Sequence, residues 1–369
     1  MKRIILLLLF YVHAPFYCFA QDAVEQDTGS FINYSANILW TKSLDDSSSA
    51  LITYSNNKIF AATNKGNVLC FNIEGSLLWK YSSERTIASG PVDYKGVLII
   101  ATLNGDLISL DDSTGEVIQS IGLDEPLTSQ LIEFSTSYNG QETEAVLVGS
   151  SKGSVFCYDV NSFEMLWENH SASGEIKSKP LEINNKVIYT SGDGFLYCID
   201  SRSGMLIWKW SPEKDNNIPF AECSPVSDGR NVFVCSPDKY LFSIDLMLGI
   251  ANWKNSSYNC YSSLTISSDK EFLLIKSFKD DFYFVYSKNG KEKEKLSINY
   301  GEDISGVPPL EVKDKILFAT HSGKVFEIGK GLKSYLLFFM GASPIVSLIK
   351  INEDTFAASN SDGNVVVFK

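Results

Sequence analysis

Gly149-Ser-Ser-Lys-Gly153 fits the G-x-S-x-G spacing that can present a nucleophilic serine, here Ser151, for acyl transfer. That chemistry needs a strand before the serine and a helix after it, with a histidine base and an orienting acid nearby. Here the strand-like run Ser154-Val-Phe-Cys-Tyr-Asp159 follows at once, so the motif reads as a hairpin turn. Histidine is scarce: His13 lies in the leader, and His170 and His321 fall in different segments with no metal-ligand spacing. Neither a Cys-Cys pair nor a C-x-x-C-H haem motif occurs. Asp111, Asp159, Asp200 and Asp245 recur at a fixed place and would be carboxylates for acid–base work if they converged. Each opens a turn, and an Asx-type hydrogen bond to the backbone N–H two residues on explains them better. No metal site and no cofactor is expected.

The elements that position these residues form a repeat. Asn104-Gly-Asp-Leu-Ile-Ser-Leu-Asp111, Lys152-Gly-Ser-Val-Phe-Cys-Tyr-Asp159, Asp193-Gly-Phe-Leu-Tyr-Cys-Ile-Asp200 and Asp238-Lys-Tyr-Leu-Phe-Ser-Ile-Asp245 align without gaps. Weaker copies lie at 65–72, 279–286, 322–329 and 362–369. Their turn position, usually Gly, falls at 66, 105, 153, 194, 239, 280, 323 and 363, a period of 39 to 48 residues. That is the length of a propeller blade. Each unit alternates short apolar strands with turn residues and shows no sustained helical period. Trp167, Trp208 and Trp253 each follow the repeat aspartate by eight residues, and Trp79 follows Asn72 by seven. Rings at one fixed point of the outer strand would fill the gap that widens between blades. At one copy Gln119 stands where Trp is expected.

The ends decide the number of blades. Lys2 and Arg3 precede an apolar run from Ile4 to Val12, and Cys18-Phe-Ala20 precedes Gln21, so residues 1–20 read as a cleaved export signal. Residues 21–36 read as a tether, and 37–369 as the folded body. The eighth unit stops at Lys369 without a fourth strand, while Ile38-Leu-Trp-Thr-Lys42 is a strand with no unit of its own. Pairing the two closes an all-β, eight-bladed propeller of four-stranded antiparallel blades and removes two open edges. Cleavage takes away Lys2 and Arg3 and no acid, so the formal charge moves from −12 to −14. So acidic a body repels phosphate backbones, and nucleic acid is an unsuitable partner. No other segment is long and apolar enough to span a membrane.

Six cysteines remain beyond Cys18. Cys70, Cys157 and Cys198 share the small inner-strand position that holds Ser109 and Ser243 in other copies, and read as core residues. Cys260 has no partner by spacing. Cys223 and Cys235 flank the turn at Asp228-Gly229. A three-residue loop centred on Gly229 would set Cys223 opposite Cys235, and a disulfide is read on that register; a two-residue loop would set Cys223 opposite Val234.

Cys198-Ile-Asp200 followed by Gly204 and Trp208 resembles the PQQ-like repeat family, over about residues 37–369. Within that family the layout is most similar to the BamB outer-membrane assembly factors. The resemblance implies a non-catalytic periplasmic scaffold at the inner face of the outer membrane, binding a BamA-like protein partner. Its alternatives are a degenerate quinoprotein dehydrogenase, against which the missing Cys-Cys pair argues, and a ligand-sensing propeller. BamB proteins are commonly lipoproteins, yet Phe16-Tyr17 before Cys18 makes a poor lipobox. The family's partner-contacting loop corresponds to 123–131, whose Leu123, Asp124, Pro126, Leu127 and Leu131 are the candidate contact residues. The family carries a basic residue there, and this chain has no Lys or Arg between Lys95 and Lys152. The longest repeat spacing, 48 residues, surrounds this loop, and part of the excess, 136–144, reads as a solvated tip.

Overall fold

Short apolar runs of period two, punctuated by turns, leave each strand able to bury itself only against neighbours in a sheet. The computed structural model describes residues 31–44, 50–212, 220 and 222–369. Its strands form eight antiparallel sheets in sequence order, which are the blades: 50–82, 92–122, 132–169, 181–210, 226–255, 260–302, 310–340 and 345–368. The expected eight-bladed propeller is borne out. In blade 4 the two middle strands, Lys186–Thr190 and Leu196–Asp200, are the most deeply buried and the outermost, Leu206–Trp210, is half exposed; most other blades share this gradient, while the outer strand of blade 3, Met165–Asn169, is largely buried. The expected export signal and residues 21–30 lie outside the described residues.

Closure occurs where the two ends predicted it. Ile38–Ser43 is the outer strand of blade 8, with Ile38 opposite Phe368 and Ser43 opposite Asn364. Asn37 and Lys369 exchange backbone hydrogen bonds at 3.3 and 2.8 Å, which seals the junction. The end of the expected tether is ordered differently: Phe31–Asn33 adds to the outer edge of blade 7 as a fifth strand, with Phe31 opposite Met340 and Asn33 opposite Phe338. Deleting 21–30 is expected to leave the unfolding midpoint unchanged, whereas deleting 21–43 opens blade 8 and should yield aggregates or an early-melting chain. Equal thermal midpoints for the two truncations, measured by circular dichroism, would contradict this closure.

The repeated aspartates are turn acceptors. Asp159 Oδ1 accepts the N–H groups of Asn161 at 2.9 Å and Ser162 at 2.7 Å, and Asp111, Asp200 and Asp245 do the same in their own turns. The Arg202 guanidinium, with these N–H groups, holds the Asp200 carboxyl below the ordinary range.

Tryptophan joins one blade to the next at five of the eight seams. Trp79 donates its indole N–H to Asp112 O at 3.0 Å across the seam between blades 1 and 2; Trp167, Trp208, Trp253 and Trp40 repeat the contact at Ser201, Leu246, Ser287 and Ile73. The ring lies flat on the turn glycine of the receiving blade. A Cβ at Gly115 would meet Trp79 at 2.5 Å, and φ there is +75°, so only glycine fits on both counts. The seam between blades 2 and 3 explains Gln119. The ring comes from the other side, since Phe163 occupies the turn position at φ +56° and is buried among Leu123, Ile121 and Val160.

Blades 6 and 7 are joined by a buried ion pair that sequence reasoning missed. Lys276 Nζ lies 2.5 Å from Asp303 Oδ2 and donates to Ala319 O at 2.6 Å, with both side chains at 2% exposure or less. Asp303 Oδ1 accepts the N–H groups of Ser305 and His321.

The cysteine reading is corrected. Cys235 is bonded to Cys260, across the seam between blades 5 and 6, with Cα atoms 6.0 Å apart. Cys223 is buried in its thiol form, pushed up to about 12 by that burial. The turn is longer than expected: Ser227 faces Val232, which leaves Asp228 to Asn231 as the loop, and Cys223 precedes the paired residues altogether. The segment 136–144 is likewise no loose tip, because Ile132–Tyr138 and Gln141–Gly149 pair along their whole length up to Asn139-Gly140.

Candidate partner-binding face

The outer strand of each blade returns to the inner strand of the next through a linker on one face of the ring. Four linkers carry a buried small residue two positions before a Pro or Leu: Ser89-Gly-Pro91, Ser129-Gln-Leu131, Ser178-Lys-Pro180 and Cys223-Ser-Pro225. Ser129 Oγ accepts the Gly149 N–H at 2.7 Å, and Ser178 shares a hydroxyl bond with Thr190 at 2.8 Å, so the linkers are fastened to the blades.

The loop 123–131 is the linker between blades 2 and 3, and backbone bonds hold it along its length. Leu123 N–H donates to Gly105 O, Leu127 N–H to Thr102 O, and Ser151 N–H to Pro126 O. Glu125 accepts from Ser150 Oγ at 2.5 Å; burial raises its carboxyl, but the Ser150 and Ser154 hydroxyls outweigh this and keep it below the ordinary range. Leu127 and Leu131 are core residues at 0% and 3% exposure, packed with Ile99, Val146 and Phe156. Their candidacy as contacts is therefore corrected: they anchor the loop. Asp124, Pro126 and Gln130 are exposed, and Leu123 is half-buried. The basic group missing from the loop's own sequence arrives from the next turn, where Lys152 Nζ donates to Asp124 O at 3.2 Å. Lys152 was visible in the repeat turn, but its reach across the seam was not.

Ser151 lies in a hairpin turn, with strand Val155–Asp159 following, as expected. A serine–histidine–carboxylate line does exist beside it. Ser154 Oγ is 2.8 Å from His170 Nδ1, and His170 Nε2 is 3.5 Å from Glu168. It is no acyl-transfer site, because Ser154 is 3% exposed and its hydroxyl also meets Glu125, so no carbonyl can approach.

The ring encloses a central channel of about 770 Å³, lined by Asp93, Gln130, Glu133, Lys179, Glu182 and Lys350 among others. Burial raises the carboxyls of Asp93, Glu133 and Glu182 above their ordinary values. Asp93 is engaged at the seam with blade 1, where Asn56 Nδ2 bridges it to Asp112.

Comparison with known proteins decides the family. The family model described as outer membrane protein assembly factor BamB matches residues 23–255. The chain belongs to the BamB family. BamB of Shewanella oneidensis is 23% identical over 287 residues, covering 74% of this chain and 69% of the relative. BamB of Yersinia pestis is 21% identical over 324 residues, covering 82% and 78%. The crystal structure of BamB from Moraxella catarrhalis superposes with a TM-score of 0.69 at 19% identity, over 92% of this chain and 98% of that one. Saccharomyces cerevisiae Sqt1 superposes at 0.75 with 13% identity, which shows the propeller fold alone. The three blades beyond residue 255 keep the BamB-like architecture although the family match stops before them.

Proposed function

We propose that this chain is a non-catalytic periplasmic scaffold in the assembly of outer-membrane β-barrel proteins, and that it docks a BamA-like partner through the linker face. Membership of the BamB family supports the first half, since the curated relatives are named for outer-membrane protein assembly. The Cys235–Cys260 bond supports an oxidising compartment. No helix among the described residues is long and apolar enough to cross a membrane. One observation carries the docking reading: a rigid loop presents Asp124 and Pro126 to solvent with the Lys152 ammonium against it. Rigid loops lose little entropy on binding.

The experiment is capture of the purified periplasmic domain of the same organism's β-barrel insertase. The pair Asp124→Lys and Lys152→Glu is expected to weaken capture about tenfold or more, ~1.4 kcal/mol, with the melting curve unchanged. Undiminished capture by a folded variant discards the loop. Leu127→Asp is unsuitable as a probe because it places a charge in the core and unfolds blade 3.

A further inference from the structure

Two features meet only at the outer edge of blade 7. Its strand, Ser334–Met340, reads Ser-Tyr-Leu-Leu-Phe-Phe-Met and carries no charge, a property shared only with Val117–Gly122 of blade 2, whereas the outer strands of blades 1, 4, 5, 6 and 8 carry lysine and that of blade 3 a glutamate. Lysine on an edge discourages strand addition, and an uncharged apolar edge invites it. It is also the edge that the chain covers with an extra strand of its own, Phe31–Asn33.

The cover is slight. Three residues pair with Phe338 to Met340, and the following turn adds bonds from Tyr34 and Ser35 to Leu337 O. The Phe31 ring packs at a tilt against Phe338 with centroids 5.8 Å apart, but Ile32 and Tyr34 are 46% and 49% exposed. A cavity of about 10 Å³ remains between Phe31, Met340 and the strands of blade 8. Tyr335, at the uncovered end of the edge, is 49% exposed. Such a short, half-exposed strand opens locally at far lower cost than the ring itself unfolds.

We propose that the outer edge of blade 7 is a binding site for an extended peptide strand, and that Phe31–Asn33 is its displaceable guard. This site lies on the rim of the ring and is separate from the linker loop 123–131, so it stands or falls independently of the docking reading. The seat occupied by Phe31–Asn33 defines the ligand: an antiparallel strand with an aromatic residue opposite Met340 and an unblocked backbone N–H ladder. Its partner is an extended, apolar segment of another polypeptide, held by main-chain bonds with loose side-chain selectivity.

The test uses the exported full chain and, as probe, a fluorescein-labelled peptide with the sequence of residues 29–36, read by fluorescence anisotropy. Phe31→Gly loosens the guard and is expected to tighten probe binding about tenfold. Ile32 and Phe339 face each other, so Ile32→Cys with Phe339→Cys locks the guard when oxidised. The locked protein should not bind the probe, and reduction should restore binding. A probe with Pro in place of its Ile, lacking one ladder N–H, should bind none of the forms. Probe binding that survives the lock, or no binding to the Phe31→Gly variant, overturns the proposal.

Discussion

Asp303→Ala is expected to lower folding stability by about 3–5 kcal/mol, the usual effect of stripping one partner from a buried ion pair. Burial already holds the Lys276 ammonium below its ordinary range against the pull of Asp303, so without that carboxylate the amine would either lose its proton or stay charged with only Ala319 O as acceptor, and either outcome costs folding energy. Asp303 also fixes backbone, because its other oxygen receives Ser305 and His321, so the linker into blade 7 should loosen as well. Lys276→Met tests the cause. In a double-mutant cycle the Lys276→Met and Asp303→Ala losses should be strongly non-additive, since the second change removes a charge that the first has already orphaned. Urea unfolding measures it; additive losses would mean that the pair does not act as a unit.

Trp79→Ala should cost a comparable ~3–5 kcal/mol, through the cavity left between blades 1 and 2 and the unpaired Asp112 carbonyl. The coupling to glycine gives the sharper result. Gly115→Ala alone is strained twice, by φ +75° and by the Trp79 ring at 2.5 Å. In a Trp79→Ala background the steric part disappears and only the backbone part, about 1 kcal/mol, remains. Unfolding midpoints of the two singles and the double decide it. An unchanged Gly115→Ala penalty in both backgrounds would refute the ring-on-glycine account.

Features within one repeat were legible in the sequence, because the contacts that produce them are local or recur every blade. Asp200, Gly204 and Trp208 announce a turn and a seam contact by spacing alone, and the spare strand at Ile38–Ser43 announces closure. Contacts that cross a seam once were not legible. Cys235 and Cys260 lie on neighbouring blades, and Lys276 meets Asp303 only after the chain has completed an outer strand. Hairpin register alone points to Cys223 as the partner of Cys235, although its place in Cys223-Ser-Pro225 matches Ser89-Gly-Pro91 and marks a linker residue. Leu127 and Leu131 misled for a related reason. An apolar linker looks like a contact surface until the neighbouring blade is seen to cover it.

The closing pair also fixes an order in time. Ile38–Ser43 is among the first strands of the folded body to be synthesised, and its partner Asn364–Phe368 is the last of the described strands. Blades 1 to 6 complete themselves from contiguous sequence, so they can condense as they emerge. The opening strand has nothing to pair with until over 300 residues have followed it. For that interval the nascent chain carries an unsatisfied strand at its leading end, exposed to misassociation. Its folding rate is thus tied to the completion of the chain, and stalled or truncated chains should be the forms that chaperones and proteases meet most often.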